Sequence, residues 1–332
     1  MTAPTRKLRW GVLGCARIAR ESVVPAILRA SNSELHAVAS REEAKLAALR
    51  EKFPGLAKGY RGYDELLADP AVDAVYVPLP NSLHREWTIR AAAAGKHVLC
   101  EKPIALTAAE AREMVNACER HGVWLMEAFM YRFTARTRQV IDIVRSGVLG
   151  EIRQVCSSFR FFLTNPAAIK LRPELGGGSL YDVGCYPVNF IGLVADLAAG
   201  GAPGAGGQPV AVATEAVMEG GVDMSASAVL RYPSGLLATM HCGFNAHVRV
   251  LAEIVGTRGV LEVPDTFHDR AGALTLTIGD ERREIPVPAS DRYRAEVEAF
   301  AGAVLAGRAP EFSLVETVRN AGVLDRLRAA VR

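Results

Sequence analysis

The segment that most constrains this chain is its first turn. An apolar run from Leu8 passes directly into Gly11-Val12-Leu13-Gly14-Cys15-Ala16-Arg17-Ile18-Ala19, with helical periodicity from Ala16 to Ala30. A buried strand that turns at once into a packed helix needs residues without bulk, and Gly11, Gly14 and Ala16 supply them. The same lack of bulk lets a phosphate approach the backbone, where the helix directs free N–H groups and its positive dipole end. The spacing departs from G-x-G-x-x-G, and an ordinary strand-to-helix turn has the same packing need. Position after the first strand favours a dinucleotide pyrophosphate held by Gly11, Gly14, Cys15, Ala16, Arg17 and Ile18.

Leu35 to Ala39, Ala74 to Val77, His97 to Cys100 and Val123 to Met126 read as further strands alternating with helical runs, the rhythm of a parallel sheet. Thr107 and Glu110 form a capping box before the last of these, and Gly122 follows its helix. From Glu127 the rhythm changes to long alternating or β-branched runs joined by turns such as Pro233-Ser234-Gly235, as in a mostly antiparallel sheet. Helices over 182–199, 292–306 and 314–330 are expected to cover one face of it. The Gly/Ala/Pro stretch 199–207 is expected to be a mobile surface loop. The expected fold is α/β: a Rossmann parallel sheet over 1–126 and an α+β domain over 127–332.

A chain of 332 residues exceeds what one core accommodates, in keeping with two domains. The net charge of +3, without a basic run, gives no support to nucleic-acid or membrane-surface binding. The nearly uncharged stretch between Asp182 and Asp196 is too short to span roughly 30 Å of hydrocarbon. Arg6, Lys7 and Arg9 precede an apolar run broken by Arg17 and Arg20, a strand and turn rather than a signal peptide. The six cysteines are scattered without a CxxC pair, so no metal is expected and a reducing cytoplasm fits.

The second strand chooses the cofactor. An acid binding the ribose of NAD belongs at that strand's carboxyl end, and Glu34 stands at its start. The carboxyl end is Ala39-Ser40-Arg41, a hydroxyl and a guanidinium suited to a 2′-phosphate. The expectation is NADP over NAD.

Two further groups carry chemistry. Lys102 ends the strand His97 to Cys100 and precedes Pro103, which biases it toward extended backbone and toward projection from the sheet edge. Downstream, Gly176-Gly177-Gly178-Ser179-Leu180-Tyr181-Asp182-Val183-Gly184-Cys185-Tyr186-Pro187 runs into a helix. Asp182 and Tyr186 share a face if the helix runs through both, although Pro187 disfavours it there. A tyrosine with a free pKa of about 10 needs a nearby cation to exchange protons near neutrality. Both tyrosines also read as core aromatics.

These segments resemble the glucose-fructose oxidoreductase / inositol dehydrogenase / MocA (Gfo/Idh/MocA) family over nearly the whole chain. The motifs are Trp10 to Ala19, Asp73 to His84, Glu101-Lys102-Pro103, Glu127 to Phe133 and Gly176 to Tyr186. Tyr186, in place of His, resembles the branch with NADP-dependent xylose dehydrogenase and dihydrodiol dehydrogenase. The resemblance implies an open C-terminal sheet used for oligomerisation, as a homodimer or homotetramer. It implies that Lys102 lies at the nicotinamide and substrate with a cis Lys-Pro bond, and that Asp182 and Tyr186 complete the catalytic set. Leu79, Pro80, Asn81, His84 and Glu101 would line the cofactor cleft. Ala16 and Thr134 depart from the usual family residues, which puts substrate contacts at Thr134 in question.

The reaction so implied is hydride transfer between NADPH and a sugar or sugar-like polyol. Tyr186 would exchange the proton, Lys102 would hold the reacting oxygen, and Asp182 would orient the pair or bind a hydroxyl. Phe161, in the run from Phe159 to Asn165, and Arg172 would wall the sugar pocket, though Arg172 reads equally as a surface cation. Reduction of a ketosugar nucleotide is the alternative within enzymes. A non-catalytic NADP-binding regulator is the alternative outside them.

Overall fold

The computed structural model describes residues 6–331, which divide into two compact units. The first holds a six-stranded sheet: β1 (Leu8–Leu13), β2 (Ser33–Ala39), β3 (Lys58–Tyr60), β4 (Ala74–Val77), β5 (His97–Cys100) and β6 (Leu125–Glu127). All neighbours pair in parallel, in the order β3-β2-β1-β4-β5-β6. Covering helices are α1 (Val24–Arg29), α2 (Glu43–Lys52), α3 (Tyr63–Leu67), α4 (His84–Ala93) and α5 (Ala108–Arg120). The strand order reverses at β1, so the carboxyl ends of β1 and β4 flank the crevice where ligands bind such sheets. The short β3 and α3 were not legible as separate elements in the sequence.

α1 does not begin directly after the first turn. Helical turns start at Arg17, and a π-turn over Ala19–Val23 precedes the regular helix. Pro25 explains it: proline lacks the N–H that an α-helical bond to Glu21 requires, and a wider turn absorbs the gap.

The second unit contains α6 (Ala135–Arg145), β7 (Ile152–Phe162), α7 (Cys185–Ala198), β8 (Ala211–Glu219), β9 (Val222–Arg231), β10 (Leu237–Gly243) and β11 (Asn245–Gly256). It continues through β12 (Gly259–Pro264), β13 (Gly272–Ile278) and β14 (Glu281–Val287) and ends with α9 (Leu314–Ala329). The eight strands run β14-β13-β12-β11-β7-β10-β9-β8, antiparallel except for β7 beside β10. α7 packs on the sheet and is buried at every position from Cys185 to Asp196, which is why its sequence is apolar on all sides. On the opposite face Val217, Val229 and Leu237 are exposed, with Thr239 and His241 among them.

Two expectations are corrected. The helix Arg292–Leu305, α8, belongs to the first unit and not to the antiparallel sheet, so the compact units are discontinuous in sequence. Its buried Val297 and Phe300 find their apolar partner on β1, where the Trp10 and Phe300 rings lie 5.4 Å apart. The stretch 199–207 is fastened: Asp196 accepts hydrogen bonds from the N–H of Gly204 (3.0 Å) and Gly206 (2.9 Å), and pairs with Arg319.

Candidate active site

In the first unit, Gly14 has φ +104, and a Cβ there would stand 3.1 Å from Leu79 Cδ2. A side chain would therefore be strained and would close the gap between the β1 and β4 ends. Gly14 N–H donates to the Ala39 carbonyl at 2.8 Å, tying the turn to the end of β2. Ala16 opens the helical run, its carbonyl accepting from Arg20 N–H, so a methyl is tolerated there. Burial raises the Cys15 thiol pKa against a hydrogen bond with Ser40, leaving a neutral wall. The Ser40 hydroxyl also meets Glu42 at its N–H and carbonyl, both at 3.2 Å. It is thus engaged by its own turn. Arg41 is exposed, its guanidinium 5.7 Å from the Tyr63 ring centroid. Glu42 pairs with Lys45 and Glu43 with Arg61, so the nearby acids already hold cations.

Lys102 follows β5, and its bond to Pro103 is cis. Glu101 beneath it accepts from the Tyr76 hydroxyl at 2.6 Å and from Lys102 N–H at 3.2 Å. Burial, then the charge of Glu101, push the Tyr76 pKa well above its ordinary value, so Tyr76 stays a donor. His84, expected on the cofactor cleft wall, has both ring nitrogens turned to backbone carbonyls. It is fully buried, with Nδ1 2.9 Å from the Pro103 carbonyl and Nε2 2.9 Å from the Leu79 carbonyl. The ring ties the loop after β4 to the Lys102-Pro103 turn. Burial lowers its pKa, opposed by the carbonyls and aided by the Lys102 charge. A neutral imidazole donates to one carbonyl only. Leu79 is nearly buried, Pro80 is half-buried, and Asn81 opens the short turn leading into α4.

In the second unit the three glycines prove to be a backbone clamp. A Cβ on Gly177 would lie 2.6 Å from the Lys170 carbonyl, and one on Gly178 2.2 Å from Asp223 Oδ1. Gly178 N–H donates to the Lys170 carbonyl and Gly177 N–H to that of Arg172, both at 2.9 Å. Asp223 accepts from Leu180 N–H at 2.6 Å and Ser179 Oγ at 2.7 Å, a carboxylate at a helix start. The helical run crosses both Asp182 and Tyr186 because a π-turn over Leu180–Gly184 accommodates Pro187, the same device as at Pro25.

Tyr186 packs among Phe159, Phe267 and Tyr131, with ring centroids at 5.2, 5.3 and 6.1 Å. Tyr181 is a core aromatic, its hydroxyl donating to the Leu106 carbonyl at 2.5 Å and accepting from Arg328. Asp182 carries an unforeseen partner, Lys170, whose Nζ lies 2.5 Å from Oδ2. Phe161 lies under that ammonium, 5.0 Å from Nζ to the ring centroid. The exposed guanidinium of Arg172 pairs with exposed Glu174. Thr134 is fully buried and caps α6, accepting from Thr137 N–H, which removes it from the substrate contacts. Phe267 and Lys170 gave no signal in the sequence, since neither lies in a motif or at a spacing that marks it, and Tyr76, inside the motif Asp73 to His84, was not singled out.

A parallel sheet reversing at β1, with a glycine turn at the end of that strand, defines a dinucleotide-binding domain. Residues 8–129 match the model of an oxidoreductase family with an NAD-binding Rossmann fold, and residues 137–262 match the GFO/IDH/MocA C-terminal domain. The chain belongs to the GFO/IDH/MocA family. It is 39% identical to D-xylose 1-dehydrogenase (NADP(+)) 2 of Haloferax volcanii, over 96% of each chain. It is 31% identical to trans-1,2-dihydrobenzene-1,2-diol dehydrogenase of Mus musculus, over 85% of this chain and 80% of that one. A 3-ketoreductase from Actinomadura kijaniata, solved with NADP and TDP-benzene, superposes with TM-score 0.89 at 32% identity, covering 98% of both.

Proposed function

We propose that this enzyme is an NADP(H)-dependent oxidoreductase that moves a hydride between the nicotinamide and a hydroxyl- or carbonyl-bearing carbon of a sugar or sugar-like polyol. The observation that carries it is the end of β5: Lys102 leaves the same sheet edge as the Gly14 turn and is fixed by Glu101 below and the His84-bound Pro103 carbonyl behind. Gly14, Cys15, Ala16 and the N–H groups of Arg17 and Ile18 fit the pyrophosphate, and Arg41 with Ser40 fits a 2′-phosphate. No acid stands at the tip of β2, and the relative at 39% identity is an NADP(+) enzyme, which supports NADP over NAD. When bound, the nicotinamide supplies or accepts the hydride. Tyr186 exchanges the proton with the substrate oxygen, and Lys102 supplies the positive charge that favours alkoxide character. Asp182 accepts from a substrate hydroxyl. Leu79, Pro80 and Asn81 border the cofactor, and Phe161 borders the sugar.

Free-sugar or diol oxidation is preferred here to reduction of a ketosugar nucleotide, because the relative at 39% identity over 96% of the chain is a xylose dehydrogenase. A substrate panel followed by nicotinamide absorbance separates the two, and binding of NADPH without turnover on any member favours a regulator. Within that assay Tyr186→Phe is expected to cut kcat by at least a hundredfold with NADPH affinity unchanged. A loss below threefold removes Tyr186 from its role. We also infer self-association, as a dimer or tetramer, through the outer face of the antiparallel sheet, and a cytoplasmic setting that keeps the six cysteines as free thiols.

A further inference from the structure

We propose that the Lys170–Asp182 ion pair is a specificity element that reads two adjacent hydroxyls, the ammonium donating to one and the carboxylate accepting from its neighbour. This rests on the reading of Asp182 and Tyr186 as the substrate end of the site. The pair lies on the segment that carries Tyr186, and its side chains are 34% and 17% exposed, so both reach solvent without being loose. Three restraints fix the ammonium: the carboxylate at 2.5 Å, the Phe161 ring below, and Gly177 and Gly178, which clasp the Lys170–Arg172 backbone. Phe161 is itself held by Phe244, with ring centroids 5.4 Å apart.

An ion pair that reaches solvent contributes little to stability, so a loop held this closely is not needed for the bridge alone. What the restraints do provide is a donor and an acceptor side by side. Adjacent ring hydroxyls stand about one hydrogen-bond length apart, roughly 2.8 Å, which matches that arrangement. The ammonium retains donors beyond the one facing Asp182, and the carboxylate has several lone-pair positions. Because the pair is neutral overall, it selects an uncharged polyol edge over an anionic group. Arg172, two residues on, cannot replace it, since its guanidinium is turned to Glu174.

The test compares kcat/KM of the wild type, Lys170→Met and Lys170→Arg on D-xylose and on its monodeoxy analogues, with NADP affinity and Tm measured alongside. For Lys170→Met, kcat/KM on xylose is expected to fall about tenfold or more, mainly through KM, and to change less than threefold on the analogue lacking the contacted hydroxyl. Lys170→Arg should restore much of the discrimination. An equal loss on every member, or none, overturns the proposal while leaving the site reading intact. Absence of wild-type turnover on every sugar overturns the site reading and this proposal with it.

Discussion

In the proposed reading one side chain, Arg41, carries the choice of cofactor. It closes β2 beside the phosphate turn, exposed, with its guanidinium over Tyr63, while the Ser40 hydroxyl next to it is engaged within the turn. The proposed recognition of a 2′-phosphate therefore rests mainly on Arg41. Arg41→Ala is expected to raise KM for NADP about tenfold or more and to leave KM for NAD within about twofold, read from initial rates with each. Equal effects on the two cofactors would remove Arg41 from this role. Lys102 and Arg41 were legible because each ends a strand that its own apolar run defines. Lys170 was not, because it is the backbone of Gly177 and Gly178, packed on its carbonyl, that brings it to Asp182.

Among the elements, the three-residue β3 was the hardest to read, and a residue outside it explains why it forms. Asp69 accepts from Tyr60 (2.8 Å) and Lys58 (3.0 Å) on β3 and from Ala71 N–H (2.9 Å), with His36 of β2 at 3.1 Å. Burial pushes its pKa up, but these hydrogen bonds outweigh burial and hold it well below the ordinary carboxylate range. A carboxylate with a folded pKa below its unfolded value of about 3.9 stabilises fully above that value. The contribution is lost as pH falls through the folded pKa. Asp69→Asn is expected to lower stability at pH 7 by about 1–2 kcal/mol, with the difference from wild type shrinking below about pH 4, as thermal melts across pH will read. A difference that grows on acidification would contradict this. β14 escaped sequence reading for another reason: Glu281, Arg282, Arg283 and Glu284 are all charged and exposed, so both faces of the strand are polar there and no alternation marks it. Pro187, by contrast, misled only locally, since the π-turn before α7 keeps the helix continuous.

On the scale of the whole molecule, the outer face of the antiparallel sheet carries the inferred assembly. Val229 lies on β9, one strand in from the β8 edge, opposite Thr239 on β10 and Ala213 on β8, and is 48% exposed. An unpaired carboxylate buried there on association would carry a large desolvation penalty. Val229→Asp is expected to weaken self-association by roughly tenfold or more, seen as a lower mass in light scattering at fixed concentration, with NADP binding retained. An unchanged mass would place the interface elsewhere.

The sequence by itself determined the parallel strand–helix rhythm, the phosphate turn, the lysine–proline strand end and the change to antiparallel pairing. Those follow from runs of a few residues whose period, bulk and backbone freedom are local properties. Tertiary structure alone decided that α8 joins the first sheet, that His84 is buried against the Pro103 carbonyl and that Lys170 meets Asp182. Each of these depends on which distant group supplies an apolar surface, a carbonyl or a counter-charge, and no local pattern of residues specifies that partner.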